Sequence, residues 1–161
     1  MVKYCEGCRK EVQAICVNKD EIYEVCGEPV NVEAKVLVCP ECGEEFFCEQ
    51  YDNSTLLNAY NIYRRKHKLL LPEEIKTIRK QYNLSQRSFA KLLNWGDKTI
   101  VRYENGSIQD KVHNSLLLFL RRPENMKSYL AENETALSQK QTDKLMVMVE
   151  KMIADCNHQS A

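Results

Sequence analysis

Residues 84–106, which read LSQRSFAKLLNWGDKTIVRYENG, decide the fold of the C-terminal half of the chain. They predict two short helices joined by a tight turn, in which Asn94 takes the left-handed conformation that asparagine tolerates. Ser85 is expected to cap the first helix, and the second helix is expected from about Asp97 to Glu104. The side chains predicted to face inward are Phe89, Ala90, Leu93, Ile100 and Tyr103.

The opposite face of the second helix is expected to be exposed. It carries Asp97, Lys98, Thr99 and Arg102. Lys98 and Arg102 are four residues apart and therefore share one helix face. An exposed helix with long hydrogen-bond donors near its start fits the major groove of DNA. The alternative is a helical bundle whose Lys and Arg side chains are only solvated.

Helical patterns continue on both sides of this segment. One helix is expected to begin at Ser54, another at Pro72, which suits a first helical position, and a last one at Ser138, which has a capping-box spacing to Gln141. The last helix carries an apolar stripe of Leu145, Val149, Met152 and Cys156. This stripe packs onto the chain's own helices, forms a dimer contact or belongs to a fraying or disordered end. A basic run, which either holds phosphates or is solvated, consists of Arg64, Arg65, Lys66 and Lys68.

The pattern of apolar residues in the first 50 positions predicts β structure. Apolar residues alternate with polar ones from Val30 to Val38, the period of a half-buried strand. Short apolar runs at 12–17 and 22–25 predict two further strands, with a turn at residues 18–20 between them. A three-stranded antiparallel meander of this size buries little core, so it needs a metal or another cross-link.

Two C-x-x-C pairs meet that need. Their members are Cys5, Cys8, Cys39 and Cys42. Four thiolates complete a tetrahedral shell and leave no open position, so we expect one structural Zn²⁺ per chain. The alternatives are an iron centre, redox disulfides or cysteines without a metal. The unpaired cysteines are expected to be small apolar fillers, although Cys48 is near enough to substitute as a ligand; they are Cys16, Cys26, Cys48 and Cys156.

Composition and charge narrow the class of protein. The 161 residues are 43% hydrophobic and 29% charged, as in ordinary globular proteins. The chain opens without a signal segment and has no stretch of about 18 apolar residues, so we expect a cytoplasmic protein with no membrane partner. Residues 1–50 carry 5 basic and 11 acidic side chains, whereas residues 51–122 carry 14 and 6. A basic centre beside an acidic end favours a DNA-binding module joined to another part.

The expected fold class is α+β, with a small antiparallel β zinc-binding domain followed by an all-α helix-turn-helix bundle and an additional C-terminal helix. The expected domains are the β domain at 1–50, a helical basic linker at 51–71, the helix-turn-helix domain at 72–122 and a helical extension at 123–161. We expect no enzymatic activity, because the three histidines have no ligand spacing and no nucleophile stands beside a base.

Residues 84–106 resemble the Cro/C1-type (XRE) helix-turn-helix family. The shared elements are Ser85-Gln86, Ala90, Leu93, Ile100 and the run from Arg102 to Gly106. The chain departs from the family at Asn94, where Gly is usual, and at Gly96, where Ser or Thr is usual. The resemblance implies that Gln86 contacts DNA near the first helix, and that Lys98 and Arg102 contact base edges with Asp97 and Thr99 beside them.

Together, the two halves resemble the MqsA/YgiT-type antitoxin family over about residues 1–122. The resemblance implies zinc at the four paired cysteines, a zinc domain that holds a toxin, and a helical domain that binds an operator as a homodimer and represses its own operon. Lys98 stands where relatives carry Asn, which implies a different operator, since Asn favours adenine and Lys favours guanine. The alternative function is a protein-interaction adaptor with a structural zinc ribbon and a helical dimerisation domain.

Overall fold

The computed structural model describes the backbone of residues 1–159 and the side chains of residues 1–155. The chain divides into two compact units, the first from Met1 to His67 and the second beginning at Lys68. Antiparallel sheets and one helix form the first unit, and helices form the second, so the predicted α+β class is confirmed. Within the described part of the chain, no helix combines the length and the apolar character needed to cross a membrane.

The first unit contains two antiparallel sheets. Its strands are β1 (Val2–Cys5), β2 (Lys10–Gln13), β3 (Ile15–Val25), β4 (Glu28–Val38) and β5 (Glu45–Phe46). β1 pairs with β2, and the second sheet has the order β3-β4-β5. The β3–β4 hairpin closes at Cys26 and Gly27, whose φ angles are 51° and 81°. Two positive φ angles in a two-residue loop match the twist of the flanking strands.

The predicted three-stranded meander of residues 12–17, 22–25 and 30–38 is wrong: β2 pairs with β1 in a separate sheet, and residues 15–25 form the single strand β3. Residues 18–20 form no turn but continue β3, where Lys19 pairs with Ala34 across the hairpin. Most of β3 is exposed, so its polar residues stay in contact with solvent and can form ion pairs. Lys19 Nζ, for example, lies 2.6 Å from Glu45 Oε1. The predicted alternation in β4 is confirmed for Val30, Val32 and Ala34, which are buried, but it ends there, because Leu37 is buried and its neighbours Val36 and Val38 are half-buried.

The helical linker predicted at residues 51–71 is not a separate element, because most of this range belongs to the first unit. Helix α1 (Glu49–Lys66) belongs to the first unit, and its Thr55 and Ala59 are buried. The predicted start at Ser54 is wrong, because the helix begins five residues earlier. There Asp52 Oδ2 accepts a hydrogen bond from the Cys48 backbone N–H at 2.9 Å, which satisfies an otherwise free donor of the first turn.

The second unit is entirely helical in its described part. Its helices are α2 (Pro72–Gln81), α3 (Gln86–Leu92), α4 (Thr99–Glu104), α5 (Lys111–Phe119), α6 (Pro123–Glu132) and α7 (Gln139–Gln159). Pro72 is the first residue of α2, as predicted. The Ser85 hydroxyl accepts a hydrogen bond from the Ser88 N–H at 3.0 Å, which confirms the predicted cap of α3.

One apolar core joins these helices. The residues predicted to face inward from 84–106 all belong to it, and α2 adds Ile75 and Ile78. Helix α7 contributes Leu145 and Val149, so its apolar stripe packs onto the chain's own helices, which is one of the three alternatives for this segment. The side chain of Cys156, the last member of that stripe, lies outside the described residues.

Candidate metal centre and nucleic-acid interface

Four cysteine side chains converge at one end of the first unit. Cys5 ends β1, Cys8 lies in the turn to β2, and Cys39 and Cys42 lie between β4 and β5. The four Sγ atoms are within 4.8 Å of one another. The Cys5–Cys42 and Cys8–Cys39 pairs are 3.3 and 3.8 Å apart. A tetrahedral zinc ion with Zn–S bonds of about 2.3 Å needs sulfurs roughly 3.8 Å apart, so the donor set fits one such ion.

Two glycines make the close approach of the sulfurs possible, for different reasons. Gly43 has a φ of 79°, which a residue with a Cβ rarely adopts. Gly7 has no such angle; a Cβ at Gly7 would lie 3.4 Å from Cys42 Sγ and 3.2 Å from Glu44 Oε2. A Cβ at Gly7 would therefore crowd the Glu44 carboxylate, whereas Gly43 is favoured for its backbone conformation.

Glu44 is a polar neighbour of the sulfurs that the sequence analysis missed. Its Oε2 accepts hydrogen bonds from Cys5 Sγ and from the Gly7 N–H, both at 2.9 Å. These two bonds hold the pKa of Glu44 below its usual range. Its position two residues after the second C-x-x-C pair was the available signal, but the sequence does not say which way the side chain turns.

The thiols of this cluster differ in acidity. The hydrogen bond to Glu44, followed by burial, raises the pKa of Cys5. A hydrogen bond with Cys42 and burial raise the pKa of Cys8 to about 11. Backbone N–H groups, that of Cys42 first, lower the pKa of Cys39 to about 7. Since a metal binds thiolates, ion binding must release the protons of the less acidic members of the group.

In the second unit, the residues expected to contact DNA gather around the turn between α3 and α4. Asn94 has a φ of 55°, which confirms the predicted left-handed residue. Helix α4 begins at Thr99, two residues later than expected, so Lys98 occupies the N-cap position. Asp97, Lys98 and Arg102 are exposed and Thr99 is half-buried. Ile100 and Tyr103 on the other face of α4 are buried.

Lys98 and Arg102 have no carboxylate partner within ion-pair distance among the described residues. Several other basic side chains of the second unit do have such a partner. Arg79, for example, is committed to Glu104 through two bonds, Nε–Oε1 at 2.6 Å and Nη2–Oε2 at 2.9 Å. The two side chains on the outer face of α4 are therefore available to an external acceptor.

Gln86 has an internal partner. Its amide donates a hydrogen bond to Glu104 Oε2 at 2.7 Å, which ties the start of α3 to the end of α4. The neighbouring Arg87 is instead 72% exposed and forms an ion pair with Asp97 at 3.3 Å. Sequence reasoning missed Arg87, because the resemblance directs attention to the glutamine beside it.

An aromatic cluster supports the turn from the core side. The rings of Trp95 and His113 stack with centroids 3.9 Å apart, and the Tyr103 hydroxyl lies 2.7 Å from His113 Nδ1. Burial is the main cause of the raised pKa of Tyr103. Because Tyr103 belongs to α4 and His113 to α5, these contacts fix α4 against the next helix.

The sequence model of the family described as "Antitoxin component of bacterial toxin-antitoxin system, MqsA" matches residues 3–132. The chain belongs to the MqsA antitoxin family. The matched range contains all four converging cysteines and the whole α3–α4 segment. In a comparison with curated proteins, no protein matches the chain. The MqsA family is one of antitoxins and is not a known class of enzymes.

The remaining cysteines of this MqsA-family chain differ in burial. Cys48 is half-buried and is not among the four cysteines that converge. Cys16 and Cys26 are exposed, so the expectation that they fill apolar space is wrong. The reason is their position: Cys16 lies on the exposed strand β3, and Cys26 lies in the hairpin turn.

The four side chains of the basic run at the end of α1 have different environments. The run as a whole is therefore neither a phosphate site nor a solvated helix end. Arg64 is fully buried, so it is not available to a phosphate. Lys66 Nζ lies 2.7 Å from Glu28 Oε2, and the same carboxylate group contacts His67. Lys66 and His67 lower the pKa of Glu28, as expected for a carboxylate beside cationic donors. Arg65 and Lys68 remain exposed.

Proposed function

We propose that this MqsA-family antitoxin is a cytoplasmic, sequence-specific DNA-binding repressor. In this proposal, residues 86–104 form a helix-turn-helix in which α4 enters the major groove. The observation that carries it is the outer face of α4, where Lys98 and Arg102 are exposed and free of carboxylate partners. Long donors at the start of an exposed helix pair with guanine edges in known major-groove readers.

Several contacts support α4 as a rigid element. Its inner side is held by Ile100 and Tyr103 in the core, and its end by the Arg79–Glu104 pair, whose side chains are 11% and 4% exposed. A recognition element held in this way loses little conformational entropy when it binds, which favours specific readout. Thr99 and Asp97 flank Lys98 and are the proposed secondary contacts.

Zinc is the proposed ion at Cys5, Cys8, Cys39 and Cys42. The sulfur spacing fits a tetrahedral ion, and a four-thiolate shell leaves no position for substrate or water. Its role is therefore structural: it cross-links β1, β2 and the β4–β5 turn. Each chain is proposed to bind one ion, and no enzymatic activity is proposed.

The first unit is the proposed docking site of a cognate toxin. Its β1 strand exposes Val2 and Tyr4, which are two residues apart and so share one face of the strand. Ile22 and Phe47 are also largely exposed. The excess of acidic residues in the first 50 positions disfavours DNA contacts there and favours a basic partner protein. The complex is proposed to repress its own operon.

A homodimer is part of the proposal, since readers of this type face two successive major grooves about 34 Å apart. Helix α5 exposes Val112 and Phe119, which are seven residues apart and share one side of the helix. This apolar strip is a candidate contact for a second copy, because the stripe of α7 is already packed in the core of its own chain.

Operator binding tests the proposal. A duplex spanning the DNA upstream of the coding gene is titrated with the protein, and fluorescence anisotropy reports the affinity. K98A/R102A is expected to weaken binding by at least about 30-fold, because each base contact contributes about 1–3 kcal/mol. The matched control K80A/R121A removes the same charge from two other exposed residues and is expected to bind nearly as well as the natural protein. Equal losses in both variants would reject groove reading by α4, and the absence of any binding would favour the adaptor function.

A further inference from the structure

One ion pair on the proposed DNA face connects the two helices of the α3–α4 segment. Arg87 is the second residue of α3, and Asp97 immediately precedes Lys98 at the start of α4. Arg87 Nε lies 3.3 Å from Asp97 Oδ2, with the two side chains 72% and 55% exposed. The pair therefore stands in solvent beside the side chain proposed to read a base.

Stability does not explain this pair. Exposed ion pairs contribute about 0–1 kcal/mol, because solvent screens them and both side chains lose rotamer freedom. The start of α3 is already joined to the end of α4 by the bond from Gln86 to Glu104, whose carboxylate is also held by Arg79 of α2. The Arg87–Asp97 pair therefore affects the charge and the hydrogen-bond donors of this surface.

An unpaired carboxylate at position 97 would face the phosphates of a bound duplex and repel them. Arg87 neutralises that charge. A guanidinium has five N–H donors in a planar fork, and the contact given with Asp97 is through Nε, so donors remain for another acceptor. Such a fork matches the oxygens of a phosphate better than an ammonium group does.

We propose that Arg87 binds a phosphate of the DNA backbone and that Asp97 is a positioning residue that orients it. This inference rests on the proposed DNA-binding function. The first helix of a helix-turn-helix crosses the DNA backbone, so an exposed donor near the start of α3 meets phosphates rather than base edges. Arg87 thereby makes the contact that the sequence resemblance assigned to Gln86, whose amide is bound to Glu104.

The salt dependence of binding tests the phosphate contact. Affinities for the upstream duplex and for a scrambled duplex of the same composition are measured from 50 to 200 mM salt. R87A is expected to weaken binding to both duplexes by about tenfold at low salt and to reduce the salt slope by about 0.9, the value for one phosphate contact. R121A, which removes an exposed arginine outside the segment, is the matched control and should leave the slope unchanged.

A double-mutant cycle tests the role of Asp97. R87A leaves the carboxylate unpaired, so R87A/D97A is expected to bind more tightly than R87A alone. R87K keeps the charge and should keep the slope, but it loses the fork and should lose its response to D97A. Additive effects of R87A and D97A would overturn the positioning role, and an unchanged slope in R87A would overturn the phosphate contact.

The outcomes of these measurements separate the phosphate contact of Arg87 from the DNA-binding function. If the natural protein binds the upstream duplex and K98A/R102A does not, while R87A keeps the natural slope, only the present inference is wrong. If the natural protein binds neither duplex, the proposed function is wrong and this inference is overturned with it.

Discussion

The cysteine end of the first unit and the helical second unit are stabilised by different means. Around the cysteines, the buried apolar cluster of described residues is Cys5, Val12 and Cys39, so two of its three members are candidate metal ligands. Among the described residues of the second unit, sixteen buried apolar residues form one core. A two-stranded sheet such as β1–β2 is marginal alone, whereas a core of that size needs no cross-link. Metal dependence should therefore be confined to one end of the chain.

Metal removal should give the largest effect. A strong zinc chelator is expected to abolish amide protection in β1, β2 and the β4–β5 turn, because structural zinc sites contribute about 10–16 kcal/mol in small domains. Hydrogen exchange followed by mass spectrometry on the full chain measures this. The internal control is the second unit, whose protection should stay unchanged. Uniform loss of protection in both units would contradict a metal dependence confined to the cysteine end.

Breaking the buried ion pair should be the largest single-residue effect in the second unit. E104A leaves Arg79 without its bidentate partner and leaves the Gln86 amide without its acceptor. We expect a loss of about 3–5 kcal/mol in the free energy of unfolding, measured by urea denaturation. D97A, which breaks the exposed pair, should change that free energy by at most about 1 kcal/mol. Similar losses in both variants would mean that burial does not distinguish the two pairs.

Truncation within α7 tests whether this helix is part of the core. L145A should lower the free energy of unfolding by about 2–4 kcal/mol, because Leu145 is 3% exposed. V147A, two residues away and 68% exposed, should change it by no more than about 0.5 kcal/mol. A loss in L145A that depends on protein concentration would instead indicate that the stripe is a contact between copies.

The cap of α5 should give the smallest effect and a defined pH dependence. Asp110 accepts a hydrogen bond from the His113 N–H at 2.8 Å, and this bond is the main cause of its lowered pKa. D110A should cost about 1 kcal/mol. Because the folded pKa is below the unfolded value of 3.8, the charged cap stabilises the protein at higher pH and this contribution is lost as pH falls through the folded pKa. D110N should retain much of the cap and remove that acid dependence; an unchanged acid limb in urea melts would contradict the assignment.

Features that depend on a few neighbouring residues could be predicted from the sequence. The Ser85 cap, the start of α2 at Pro72 and the left-handed Asn94 each follow from local backbone chemistry, and the structure has all three. The convergence of the cysteines could also be predicted, because a C-x-x-C pair constrains both sulfurs and a second pair completes the set.

Features that depend on distant partners could not be predicted in this way. The polar residues at 18–20 suggest a turn, but pairing with β4 extends them into a strand. Gln86 looks like an exposed contact, yet its acceptor Glu104 is 18 positions away and is itself held by Arg79. Arg64 lies in a basic run and is nevertheless buried. In each case, tertiary contacts outweigh the local pattern.

The base preference at the position of Lys98 tests the central claim most directly. Selection from a randomised duplex pool is carried out with the natural protein and with K98N. Asparagine is a good N-cap residue, so the substitution at the start of α4 should preserve the fold. If α4 reads DNA, one position of the selected site should change from guanine to adenine, because Lys pairs with guanine and Asn with adenine. Identical selected sites for both proteins would show that Lys98 contacts no base and would contradict the account.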